Sequence, residues 1–133
     1  MARILGLDIG DKRVGLAISD SSGLIAKPFK TVDRAKSKAQ KEIIELINKE
    51  KIAKLVVGLP YSEDGSKNEQ CEKIENFCRK LLRRVKVEII YIDEYLSTYE
   101  AKQRLPKKRI SNTALGEIDA ISASIILQSF LDS

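Results

Sequence analysis

The chain has 133 residues, 43% hydrophobic and 32% charged, a balance ordinary for one soluble globular domain with a real core. Lys plus Arg exceed Asp plus Glu by 24 to 19, a net charge of +5, which leans toward a polyanionic partner without naming one. There is no histidine, so Ser-His and Cys-His nucleophile pairs and imidazole metal ligands are excluded, and any catalysis must rest on carboxylates, lysines or a metal held by oxygen.

In chain order, Arg3-Ile4-Leu5-Gly6-Leu7-Asp8-Ile9-Gly10 reads as a core strand carrying a single acid, Asp8. A lone charged Asp in such a strand costs several kcal/mol unless something compensates it, and a bound cation is one way. The glycines beside it let another backbone, or a phosphate, come close. Asp11-Lys12-Arg13 makes a turn into a second strand, Val14–Ser19. Leu24–Val32 reads as a third, with Pro28 placing it at an edge or a strand end. Asp33 is a good N-cap for a helix whose apolar residues Ala35, Ala39, Ile43, Leu46 and Ile47 recur at helical spacing.

Lys54–Gly58 is a short apolar strand of the buried parallel type. After a loop over 59–67, a second helix is expected from about Asn68 to Arg84, with Cys71, Ile74, Cys78, Leu81, Leu82 and Val85 inward. Cys71 and Cys78 stand about 10 Å apart along that helix, too far for a disulfide, and read as small core residues. The basic residues Arg79, Lys80, Arg83, Arg84 and Lys86 complement its dipole. Val87–Ile92 is another strand, ending at Asp93-Glu94. Ser97 and Glu100 fit a capping box for a third helix, a basic loop spans 105–113, and a final helix is expected from about Ala114 to Leu131. Three hairpin-linked strands followed by crossover units predict an α/β domain over 1–133. Its mixed five-stranded sheet would be flanked by helices. No apolar run approaches the roughly 20 residues that span a bilayer, and no signal-peptide order opens the chain. The expectation is a cytoplasmic protein with no membrane partner.

Three acids on distant segments form the candidate site. Asp119 lies in the same arc of the final helix as Leu115, Ile118, Ser122, Ile126 and Phe130. Asp93 and Glu94 leave a core strand at its carboxyl end, where ligands of open α/β sheets collect, and only one of the two can share a face with Asp8. Gathered together, such acids repel unless a cation sits between them, and oxygen-only ligation selects Mg²⁺ or Mn²⁺. Lys12 and Arg13, beside Asp8, could grip phosphates, and the run Lys107-Lys108-Arg109 could track a nucleic-acid backbone or simply be solvated.

Four segments together resemble the YqgF family of Holliday junction resolvases and pre-16S rRNA nucleases. They are Leu7–Ala17, Val57-Gly58-Leu59-Pro60 with Asp64-Gly65, Asp93-Glu94 with Leu96-Ser97-Thr98 and Ala101, and Ile118-Asp119-Ala120 with Ala123, Ile126, Leu127 and Gln128. The resemblance implies an RNase H-like fold and metal ligands at Asp8, Glu94 and Asp119. It implies Mg²⁺- or Mn²⁺-dependent phosphodiester hydrolysis in structured nucleic acid, with the 5′ end of pre-16S rRNA favoured over four-way DNA. It also prefers Glu94 to Asp93. The family's Arg after the Asp-Glu pair is Tyr95 here, and Gly116-Glu117 stands where a basic residue is common, which removes a phosphate contact but no metal ligand. Those departures keep a non-catalytic nucleic-acid-binding factor in play, and a sugar-kinase-like ATPase is a further rival for which the chain is short. A junction resolvase should be a symmetric dimer; an RNA-trimming enzyme can be a monomer.

Overall fold

The computed structural model describes residues 3–94 and 115–133. The capping box at Ser97 and Glu100, Tyr95, and the basic run Lys107, Lys108 and Arg109 lie outside the described residues. Strand β1 (Ile4–Ile9) sets the layering. Its side chains alternate between two faces: Leu5, Leu7 and Ile9 enter one core cluster, while Ile4 enters another and Asp8 shares Ile4's face. β2 (Arg13–Ser19) and β3 (Ala26–Asp33) add antiparallel neighbours on one side of β1, and β4 (Lys54–Leu59) and β5 (Glu88–Asp93) add parallel ones on the other. The order is β3-β2-β1-β4-β5, a mixed five-stranded sheet. Helices α1 (Lys38–Glu50) and α2 (Glu69–Leu82) cover the Leu5 face, and α3 (Leu115–Leu131) covers the Asp8 face.

Local chemistry explains most of these elements. β3 is an edge strand, which tolerates Pro28. The register jumps from Leu16 opposite Lys30 to Ala17 opposite Pro28, so Phe29 is the extra residue of a bulge. Asn68 caps α2, its Oδ1 accepting from the Cys71 amide at 3.0 Å, and its Nδ2 donates to the Pro60 carbonyl at 2.7 Å. Both cysteines are buried and free, and burial pushes the Cys78 thiol up to about 11, the mark of a structural sulfur.

Three sequence expectations need correction. Asp33 does not cap α1: its Oδ1 accepts from the Ala35 amide at 2.9 Å and shapes a 3-10 turn over Ala35–Ser37. The chain then kinks through Lys36 (φ 55°) and Ser37 (φ 60°), and α1 starts with no side-chain cap. In α2, Leu82 is 45% exposed, while Phe77 is buried in its place, because the core-facing arc is centred on Ile74, Cys78 and Leu81. In α3 the buried face is Ala120, Ala123, Ser124, Ile126 and Leu127, rotated from the Ser122 arc. The two alanines let the helix backbone settle onto the sheet where β1 and β2 carry glycine. A Cβ on Gly6 would lie 2.9 Å from the Ala123 carbonyl oxygen, and one on Gly15 would overlap the Asp119 carbonyl.

Candidate active site

Strand parity brings two of the three acids together. Asp8 pairs in register with Gly15 and faces α3. Asp93 is the register partner of Leu59, whose side chain belongs to the opposite core, so Asp93 points toward the α1/α2 layer. Glu94, one residue on, returns to the α3 face. It lies over Gly58, where a Cβ would come within 3.1 Å of the Glu94 Cβ and 2.7 Å of Ile126 Cδ1. Glycine at 58 therefore makes the hollow that seats Glu94. No strand-pattern argument singled out Gly15 or Gly58, because the helix that needs their missing side chains is more than sixty residues away in the chain.

The carboxyls of Asp8 and Glu94 share a hydrogen bond. Burial, then the hydrogen bond to Asp8, then the charges of Asp8 and Asp93, push Glu94 up to about 9. The protonated Glu94 carboxyl donates and the Asp8 carboxylate accepts. Asp8 is also raised, chiefly by burial and further by the nearby charge of Asp119, against the lowering effect of that bond. A proton thus does the work of holding two acids at one spot.

Asp119, on α3, is near enough for its charge to act on Asp8, but it has a partner of its own. Arg13 Nε donates to Asp119 Oδ2 at 2.9 Å, an ion pair spanning 106 positions in sequence. Arg13 is thus committed to an acid, whereas Lys12 stands exposed at the β1–β2 turn. Among the described residues no three acids form a ready metal cage. The donor set nonetheless suits a hard divalent ion. All donors are carboxylate oxygens, and the two that touch do so only by retaining a proton that a cation would replace. The Arg13–Asp119 pair is 41% and 28% exposed, a partly solvated bond that can open at small cost.

Comparison with known proteins adds independent information. The family model RuvX, described as Holliday junction resolvase, matches residues 2–133. A protein of Fusobacterium nucleatum is 41% identical, over 99% of this chain and 98% of its own length. One from Rippkaea orientalis is 43% identical, over 97% of this chain and 94% of its own. Both carry the name "Putative pre-16S rRNA nuclease". Among solved structures, Thermus thermophilus RuvC in complex with a Holliday junction superposes with a TM-score of 0.56 at 16% identity, covering 95% of this chain and 92% of that one. The RNase H-like fold expected from sequence is the fold of this chain.

Proposed function

The chain belongs to the RuvX (YqgF) family of nucleases, and from that premise we propose that it hydrolyses phosphodiester bonds at the Asp8–Glu94 pair, trimming the 5′ end of pre-16S rRNA. The observation that carries this reading is placement: Asp8 on β1 and Glu94 just past β5 stand on the one face that α3 covers, Glu94 seated over Gly58. Asp8, Glu94 and Asp119 would hold Mg²⁺ or Mn²⁺. When bound, such an ion supplies Lewis acidity that activates water and steadies the leaving oxygen.

The protein's own residues have distinct tasks. Asp8 and Glu94 would hold the ion as carboxylates, and Asp119 would join them from the helix. Arg13 orients Asp119 and, once released from it, stands beside the reacting phosphate. Lys12 holds the strand at the turn. Lys107, Lys108 and Arg109 remain candidates for a contact farther along the nucleic acid. Such an enzyme works where ribosomal RNA matures, in the cytoplasm. Among the described residues, no helix is long and apolar enough to cross a membrane.

The test is cleavage of an RNA carrying the pre-16S 5′ leader, with and without Mg²⁺, by the wild type and by Asp8→Asn and Glu94→Gln. Each variant should lose about 100-fold or more, since several kcal/mol of transition-state stabilisation are at stake and each 1.36 kcal/mol is tenfold. Undiminished cleavage by Asp8→Asn would remove this site from the reaction. The family description favours a second substrate, four-way DNA. Paired, symmetric cuts in a synthetic junction by a dimer, with no cleavage of the leader RNA, would select it.

A further inference from the structure

Three hollows join end to end, from the β1–β2 turn to the α1/α2 side of the molecule. The first is lined by Lys12, Arg13, Asp33 and Arg34 at the turn beside the acids. It shares Asp11 and Arg34 with a second, between α1 and α2, floored by Gln40 and Phe77 and walled by Lys73 and Lys80. That one shares Ser37, Gln40 and Lys80 with a third, which has Lys36 and Lys41 on one bank and Arg83 and Arg84 on the other. Resting on the nuclease reading above, we propose that this groove carries the phosphate backbone of the nucleic acid flanking the cleaved bond, away from Arg13 and along α2.

Helical spacing builds the groove. Lys73, Phe77, Lys80 and Arg84 follow at i, i+4, i+7 and i+11, one face of α2 and its C-terminal extension. Ser37, Gln40, Lys41 and Ile44 do the same on α1. The floor is fixed before any ligand arrives. The Arg34 guanidinium lies 4.9 Å from the Phe77 ring centroid, and its Nη1 donates to the Gly10 carbonyl at 2.6 Å. Gln40 Nε2 donates to the Phe77 carbonyl at 3.0 Å.

The charge arrangement points to an external anion. The dipole of α2 accounts for Lys80, Arg83 and Arg84 at its C-terminal end. It does not account for Lys36 and Lys41, which stand at the positive end of α1, where cations are unfavourable and where the first turn holds no acid. Among the described residues, Arg3, Lys30, Lys54 and Lys67 each pair with a Glu, while no ion pair uses Lys36, Lys41, Lys73, Lys80, Arg83 or Arg84. From Lys73 to Lys80 the wall runs about 10 Å at 1.5 Å per residue. A nucleic-acid strand presents a phosphate about every 3.4 Å of a duplex axis, so roughly three fall within reach.

The test measures binding of three fluorescein-labelled probes: a stem-loop RNA, the same RNA with a long 5′ extension, and a four-way DNA junction. Wild type is compared with Lys80→Gln/Arg83→Gln/Arg84→Gln, and with Lys36→Gln/Lys41→Gln on the opposite bank, after each variant's melting temperature is recorded. Either variant should weaken the extended RNA about tenfold or more. The triple variant should flatten the plot of log affinity against log salt by about two units, at roughly 0.7–0.9 per lost phosphate contact. The stem-loop without its extension should lose far less. A loss falling on the junction instead keeps the groove and changes the polymer. Folded variants with wild-type affinity and wild-type salt slope on both polymers overturn the groove alone. A wild type that binds none of the probes overturns the nuclease reading with it.

Discussion

At the scale of single residues, burial and mutual contact push the carboxyls of Asp8 and Glu94 above their ordinary range. The sign of the consequence is fixed. Between the ordinary Glu value and about 9, the native state binds more protons than the unfolded one, so metal-free stability is greatest at low pH and falls as pH rises through that window. Thermal unfolding from pH 5 to 9 in chelator should show this decline, and Mg²⁺ should restore more stability at the alkaline end, where displacing the proton opposes binding less. Glu94→Gln is neutral without holding a proton, so its metal-free melting temperature at pH 8 should exceed that of the wild type while the Mg²⁺ increment disappears. A flat pH profile in chelator would mean that the two carboxyls do not share a proton. Arg13 poses a different question. Its bond to Asp119 is partly exposed, and such pairs are worth about 0.2–1 kcal/mol, so Arg13→Gln should barely move the melting temperature. Cleavage should nevertheless drop well beyond that, and equal losses in both would demote Arg13 to a structural salt bridge.

Secondary-structure elements carry the acids through close approach. α3 rests on Gly6 and Gly15, and Asp119 arrives at the site because its own carbonyl sits where a Gly15 side chain would be. Gly15→Ala must push backbone rather than a flexible side chain, so the cost should reach the upper end of the overpacking range, about 3 kcal/mol, and metal binding should weaken with it. Gly65→Ala is the matching control. Its φ is 84° with open space around it, so it should cost about 1 kcal/mol of backbone strain and leave the site intact. Ser37 offers the opposite sign. Its φ of 60° strains a residue whose hydroxyl makes no cap, so Ser37→Gly should stabilise by about 0.5–1 kcal/mol in denaturant melts. The strands were legible in the sequence as short apolar runs, in one of which Asp8 is the lone acid, and the alternation of strand side chains separates Asp93 from Glu94. What escaped was set by distant contacts. The kink at Lys36 and Ser37, the exposure of Leu82, and the rotation of α3 onto its alanines all depend on the neighbour each element meets, which local periodicity does not encode.

Across the whole molecule, the sheet separates two tasks. Its α3 face holds the acids, and its α1/α2 face holds the groove, where Lys36, Lys41, Lys73, Lys80, Arg83 and Arg84 make no ion pair among the described residues. The turn at Asp11-Lys12-Arg13 joins the two, because Arg13 reaches Asp119 on one side and lines the first hollow on the other. A net charge of +5 only hinted at this arrangement. Sequence spacing alone accounts for the basic end of α2 by its helix dipole, since nothing local shows that Lys36 and Lys41 stand across from it. The account depends most on the acids being a metal site, and the direct measurement is anomalous diffraction from a Mn²⁺-soaked crystal held near pH 8. It should place a manganese peak in contact with carboxylate oxygens of both Asp8 and Glu94, with the Asp119 side chain turned toward it. A crystal in which manganese occupies surface acids while Asp8 and Glu94 remain hydrogen-bonded to each other would contradict the account.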